Sequence, residues 1–305
     1  MRRLYELKEF SLDNLTYDLH PPSEPALVVQ PGEIFVVETE DAFSGQIRTE
    51  KDWTHEPRGP TISGPIFVDG AEKGDTLMVD IKDIQPLRGQ GATRINVPNL
   101  KSLVAGPLAK LAKKLPPPSR WVQICPVKDG KVYWGTKAVL PYKPMIGTIG
   151  LADGEGKGIR TGNHGGNMDI VEVGIGNKVY LPISVKGAYL YLGDVHATQG
   201  EGELCGTAIE MPALVTLVVD LIKNKRIGWP RIESPEYLMA VGTARPVEDA
   251  IEIAFTELIL WLEEDYGVDR WDAYNLCTQV SEISIGWYLT CSAGAKFPKK
   301  YLPKQ

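Results

Sequence analysis

Histidine is the scarcest chemically versatile residue in this 305-residue sequence: His20, His55, His164 and His196 are the whole supply, so any imidazole chemistry must draw on these four. Cysteine is equally sparse. Cys125, Cys205, Cys277 and Cys291 form no CxxC pair, and the closest two, Cys277 and Cys291, are 14 residues apart. They read as reduced, mostly structural thiols of a cytoplasmic protein. No apolar run approaches the roughly 18 residues of a membrane-spanning helix. The nearest, Ala213 to Val219, stops at Asp220. Met1 to Pro22 carries Glu6, Lys8, Glu9, Asp13 and Asp18 and does not read as a secretory signal. Lys and Arg number 33 against 39 Asp and Glu, a net charge of −6. Neither nucleic acid nor a membrane is expected as a partner, because an acidic surface without a segregated basic patch attracts neither. Several catalytic signatures are also missing. There is no GxSxG elbow, HExxH helix or EF-hand loop, and Gly154-Glu155-Gly156-Lys157-Gly158 matches no phosphate-cradling motif.

What is plentiful is glycine and proline, 31 and 23 residues, a composition that argues against a helical bundle and for many short strands joined by turns. Ala26 to Gln30 and Ile34 to Thr39 read as strands separated by Pro31-Gly32. Ile66 to Asp69 and Leu77 to Ile84 read as a second strand pair, with Leu77, Val79 and Ile81 on one face. Lys101 to Leu115 predicts a short helix closed by Pro116-Pro117-Pro118. Trp121 to Val127 and Lys131 to Trp134 read as strands joined by an Asp129-Gly130 turn, and Gly187 to His196 and Val215 to Ile222 as further strands.

Beyond residue 225 the pattern changes. Pro246, Glu248 and Asp249 begin a helix whose apolar residues Val247, Ile251, Ala254, Leu258, Trp261 and Leu262 recur every three or four positions until Gly267. A second helix over Arg270 to Gln279 and a strand over Ile283 to Cys291 follow. The expected fold is mainly β: a β-sandwich or jelly-roll-like N-terminal domain over 1–225, with a smaller α+β C-terminal domain over 226–305.

Three polar clusters could carry chemistry. If the strand from Ile34 continues, Phe35, Val37, Thr39 and Asp41 share a face and Asp41 extends it into a polar mouth; the alternative is an aspartate that starts a turn toward Gly45. In Gly162-Asn163-His164-Gly165-Gly166-Asn167-Met168-Asp169, the paired glycines let His164 and Asp169 approach one point, and Asn167 adds an amide. The densest run is Gly193-Asp194-Val195-His196-Ala197-Thr198-Gln199-Gly200-Glu201-Gly202-Glu203-Leu204-Cys205-Gly206-Thr207-Ala208-Ile209-Glu210. In a strand, Asp194 and His196 point to the side that carries Leu190 and Leu192, where they are costly to bury unless paired or bound to a metal. The following loop could bring Glu201, Glu203 and Glu210 to the same mouth. Asp, His and Glu suit zinc or a related divalent ion; an Asp–His hydrogen-bonded pair is the plainer alternative. Cys205 beside this acidic turn is a weaker candidate nucleophile. His20 and His55 read as surface loop residues.

The Gly165-to-Asp169 run, followed by Leu181-Pro182 and then the Gly193-to-Glu210 run, closely resembles the acetamidase/formamidase family. Val37-Glu38-Thr39 with Asp41, Ser44-Gly45-Gln46-Ile47 and Gly64-Pro65-Ile66-Phe67-Val68 add looser agreement. Residues 90–120 are more basic and helical than that pattern, and Val280 to Leu302 agrees less closely. The resemblance implies a β-rich hydrolase cleaving a small-molecule amide to carboxylate and ammonia, with a divalent metal, zinc in the first place and a second ion such as calcium as a further possibility. By motif it points to Asp41, His164, Asn167, Asp169, Asp194, His196, Glu203 and Glu210 as the site; residue type and proximity in sequence then suggest Asp41, His164, Asp169, His196 and Glu210 as ligands, Asp194 supporting a ligand or completing the shell, Glu203 as general base and Asn167 orienting the carbonyl. A homo-oligomer, dimer or higher, is expected. Two alternatives remain at this point: a thiol amidase using Cys205, and a β-sandwich binding module whose acids hold a structural calcium.

Overall fold

The computed structural model describes residues 15–16, 24–52, 60–95, 122–153 and 160–303. His20, His55, the helix expected over Lys101 to Leu115 and the run Gly154 to Gly158 lie outside the described residues. Strands β1 to β5 are Leu15–Thr16, Leu27–Val29, Ile34–Thr39, Ile62–Val68 and Thr76–Pro86. Strands β6 to β9 are Gln90–Arg94, Val122–Lys128, Lys131–Trp134 and Ala138–Pro141. Then come β10 (Met145–Leu151), β11 (Gly165–Asn167), β12 (Lys178–Pro182), β13 (Leu190–His196) and β14 (Ala213–Ile222). The chain continues through β15 (Arg231–Glu233), β16 (Tyr237–Thr243), helices α1 (Val247–Tyr266) and α2 (Arg270–Val280), and strands β17 (Glu282–Ile285) and β18 (Ser292–Pro298).

The protein is mainly β, in line with the expectation from its glycine and proline content. One sheet has the order β1-β4-β13-β10-β11 with β2 added in parallel to β4; an eight-stranded sheet runs β17-β18-β16-β15-β12-β5-β14-β3; a smaller one runs β6-β7-β8-β9. The first two share a core, with Phe35, Val79 and Leu217 of the eight-stranded sheet in one buried cluster with Ile66, Ile149 and Leu192 of the other. Alternation produces this directly. In β3, Phe35, Val37 and Thr39 face inward while Ile34, Val36 and Glu38 are less buried. Asp129 and Gly130, both at positive φ, turn β7 into β8 with the twist a two-residue hairpin prefers. Helix α1 ends where expected, at Gly267, which takes the left-handed conformation (φ 65°).

Pro31-Gly32 is a turn between two strands, as expected, and it crosses between sheets, because β2 lies in the six-stranded sheet and β3 at the edge of the other. Two expectations need correction. The strand pair expected from Ile66 and Leu77 is no pair: β4 and β5 belong to opposite layers, and the Gly70–Asp75 turn crosses between them. Alternation reports which face is apolar and does not distinguish a hairpin from a crossing. The single strand expected over Ile283 to Cys291 is a hairpin arm and its turn, with β17 ending at Ile285 and β18 starting at Ser292.

The eight-stranded sheet continues through residue 225, since β15, β16, β18 and β17 extend it beyond β12. Helices α1 and α2 cover that end with a separate apolar cluster that includes Leu238, Leu258, Trp261, Leu262 and Phe297. Among the described residues no helix is long and apolar enough to cross a membrane.

Candidate active site

The site is built on β13 and its neighbour β10, both buried along their whole length. Antiparallel pairing sets Met145 opposite His196 and Thr148 opposite Gly193, while on the other side of β10 Thr148 faces Asn167 of β11. The hydroxyl of Thr148 therefore lies between two strands, 2.5 Å from Asn167 Oδ1 and 3.3 Å from Asp194 Oδ2. Asn167 Nδ2 donates to Asp169 Oδ2 at 2.9 Å. A β-bridge from His196 to Glu210 and another from Glu210 to Ala92 bring the far end of the acidic loop back beside β13.

One ligand atom each from Asp169, Asp194 and His196 lie within 4.8 Å of one another, and the same holds for His196, Glu203 and Glu210. All five side chains are buried. His196 Nε2 is 3.4 Å from Asp194 Oδ1 and 3.1 Å from Glu210 Oε2. Its other nitrogen is 2.7 Å from Gln199 Oε1, while Gln199 Nε2 donates to the Asp169 carbonyl at 2.7 Å. A carbonyl cannot donate, so the Gln199 amide has one possible orientation and His196 Nδ1 must carry a hydrogen. Nε2 then faces two carboxyl groups, which is favourable only if a proton sits on Nε2 or on one of the carboxyls, or if a cation lies between them. Glu210 Oε2 is buried without a hydrogen bond of good geometry. This oxygen and nitrogen donor set fits a divalent cation.

The electrostatics point the same way. Burial raises Asp169 well above the ordinary carboxylate range, and the charges of Glu203 and Asp194 add to the shift. Burial pushes Glu203 to about 8 and Glu210 to about 7, against the opposing charge of His196. Burial would also raise Asp194, but the hydrogen bond and charge of His196, with hydrogen bonds to Glu210 and Thr148, together outweigh that and hold it low. Burial works against the His196 imidazolium, yet Glu210 and Asp194 raise it well above an ordinary histidine. Without a metal, the pocket therefore retains protons that a divalent ion would replace.

Backbone geometry marks the same residues. Asp169 (φ 52°), Asp194 (φ 57°) and Glu203 (φ 40°) are all left-handed, a conformation that costs a residue with a Cβ about 1–3 kcal/mol and persists where the surroundings impose it. For Asp194 this breaks the strand alternation from which its direction was expected, although it still meets His196. Opposite it, Gly147 supplies the room: a Cβ there would lie 2.8 Å from Asp169 Oδ1 and 3.0 Å from Asp194 Oδ2.

Asp41 and His164 stand outside the convergent group. Asp41 caps the turn after β3, its Oδ1 accepting the N–H groups of Phe43 and Gly45 at 2.9 Å each, and burial pushes it up to about 6. His164 is buried just before β11, and its carbonyl accepts the Leu151 N–H at 3.0 Å. Cys205 is exposed, its thiol donating to the Thr207 carbonyl at 3.3 Å, on a cleft of about 420 Å³ also lined by Thr93, Arg94 and Trp134. Sequence reasoning missed Gly147, Thr148 and Gln199. A polar threonine inside the apolar run Met145 to Leu151 was the available signal for the first two.

The model of the acetamidase/formamidase family matches residues 9–150 and 138–283. The chain belongs to that family. The acetamidase of Mycolicibacterium smegmatis is 28% identical over 271 residues, covering 67% of this chain and 65% of that protein. The formamidase of Methylophilus methylotrophus is 28% identical over 261 residues, covering 67% and 63%. The chain thus spans somewhat under two thirds of the length of these two relatives. The crystal structure of an acetamidase from Yersinia enterocolitica superposes with a TM-score of 0.87 at 36% identity, covering 99% of this chain and 94% of that one. Membership bears out the resemblance carried by the two central motifs and the reading of the chain as an amidase-family enzyme.

Proposed function

We propose that the protein hydrolyses the C–N bond of a short aliphatic amide, of formamide or acetamide size, to a carboxylate and ammonia at the site on β13. The observation that carries this is the convergence of five buried ionisable side chains, Asp169, Asp194, His196, Glu203 and Glu210, in a chain of this family. Asp169, Asp194, His196 and Glu210 would hold a divalent ion, with zinc the ion that suits nitrogen and oxygen donors in the absence of thiolate. Such an ion, when bound, supplies Lewis-acid polarisation of the amide carbonyl and of the attacking water.

The chain's own residues do the rest. Glu203 takes a proton from water and returns it to the departing nitrogen; burial places its proton affinity near neutrality, where a carboxyl can do both. Gln199 fixes the His196 tautomer. Asn167, with its oxygen engaged by Thr148 and its nitrogen by Asp169, serves to hold Asp169 in place. Asp41 caps its own turn, and neither it nor His164 belongs to the two groups of converging ligand atoms, so neither is assigned a ligand role in this proposal. A cytoplasmic homo-oligomer completes the proposal.

The test is ammonia release across a series of short amides, with metal content measured before chelation, after it and after metal return. Activity that ignores chelation removes the metal, and a metal-loaded protein that releases no ammonia removes the amidase. Cys205→Ala separates this reading from a thiol mechanism: activity persists if Cys205 is a bystander.

A further inference from the structure

The loop that carries Glu203 has few bonds of its own: the Glu203 N–H reaches the Gly200 carbonyl at 3.2 Å, and the Gly206 N–H reaches the Glu203 carbonyl at 2.8 Å. It is held from outside, by the hairpin that begins at β17. The Gly202 N–H donates to the Ile285 carbonyl at 2.8 Å, and the Tyr288 N–H donates to the Gly202 carbonyl at 3.1 Å. One residue earlier, Glu201 Oε2 accepts the Ile285 N–H at 2.9 Å and Glu201 Oε1 accepts from Ser284 Oγ at 2.7 Å. Ser284 is itself buried and lies 3.0 Å from Glu172 Oε1, which is ion-paired with Lys296 of β18. A hydroxyl has one proton to give. With Lys296 already compensating Glu172, that proton serves Glu201.

We propose that Glu201 is a positioning residue whose carboxylate latches the catalytic loop to the Ser284–Tyr288 turn, and so fixes the Glu203 carboxyl beside His196 and Glu210. This rests on the role of Glu203 given above. The need for a latch is local. Glu203 is in a left-handed conformation that the chain abandons unless constrained, and the constraint falls on the two residues immediately before it. A loop held by a few bonds opens far below the free energy of global unfolding, so loss of one doubly bonded side chain is felt there first. The C-terminal hairpin, about which the central motifs say nothing, thereby becomes part of the catalytic apparatus.

The experiment compares Glu201→Ala, Glu201→Gln and Ser284→Ala with the wild type, using formamide and acetamide kinetics and amide hydrogen exchange. In Glu201→Ala, kcat should fall about 10- to 100-fold, the scale of an ångström-sized misplacement, with KM within about twofold. Exchange across 200–206 should accelerate about tenfold while 190–196 is unchanged. Glu201→Gln, whose amide oxygen can accept one of the same bonds, should recover most of both, and Ser284→Ala should lie between. Wild-type kcat and unaltered exchange in Glu201→Ala would overturn the latch, as would equal losses in the Ala and Gln variants with no change in exchange. If Glu201→Ala does not fold, Ser284→Ala carries the same comparison. If the wild type releases ammonia from no amide, the functional reading fails and the exchange measurement alone decides the latch.

Discussion

Replacing Gly147 with alanine adds one methyl group at the point where the site has no room for it. The new Cβ would sit 2.8 Å from Asp169 Oδ1, 2.8 Å from the Asp194 carbonyl oxygen and 3.0 Å from Asp194 Oδ2. Ordinary carbon–oxygen contact begins near 3.4 Å, so the deficit is roughly half an ångström against three oxygens at once, an overpacking of the kind that costs about 1–3 kcal/mol. β10 cannot recede, being buried throughout and paired on both sides. The two carboxylates and the Asp194 backbone must therefore move. Since an ångström of misplacement can cost about a hundredfold in rate, half that distance should cost about tenfold in kcat/KM. Zinc affinity, measured by competition with a chromophoric chelator, should fall with it, and the melting temperature should drop by a few degrees. A Gly147→Ala protein with wild-type affinity and wild-type turnover would refute the packing of Asp169 and Asp194 against β10.

Other expectations follow from the same geometry. Gln199→Leu removes the acceptor that fixes the His196 tautomer, and metal affinity should fall about 10- to 100-fold with little change in melting temperature, as read by metal titration. Glu257→Ala leaves the buried Arg231 guanidinium, now 2.7 Å from Glu257, with the half-exposed Glu264 at 3.5 Å as its ion-pair partner, at a cost toward the lower end of about 3–5 kcal/mol measurable by denaturant unfolding. In chelator-treated protein, Glu203 and Glu210 have folded-state values of about 8 and about 7, above their value of 4.5 in the unfolded chain. The folded state then binds more protons than the unfolded one between those limits, so metal-free stability should decline as pH rises from about 5 to 8. Melting curves across that range that rise or stay flat would contradict the protonated pocket.

Much of this arrangement was legible because short-range physics dictates it. Alternation located β3 and β5, and a proline start with a glycine stop bounded α1. The spacing of Asp194, His196, Glu203 and Glu210 announced a ligand-like cluster. Four things were not legible, each for a nameable reason. β10 is buried on both faces, so it has no alternation to detect. Whether a turn reverses within a sheet or crosses between layers depends on partners far away in sequence, as with β4 and β5. The direction of Asp194 depends on a left-handed backbone that no periodicity foretells, and the place of Gly147 shows only once Asp169 and Asp194 are seen against it.

The latch between Glu201 and Ser284 joins residues 83 positions apart, which has a temporal side. At synthesis rates of roughly 5–20 residues per second, the loop bearing Glu203 leaves the ribosome several seconds or more before the hairpin that holds it exists. For the first part of that interval, until Arg231–Glu233 emerge, the edge of β12 also lacks β15 as a neighbour. The nascent chain would thus carry its acidic residues before it has the means to arrange them, and catalytic competence would arrive late, with the closing of the last hairpin.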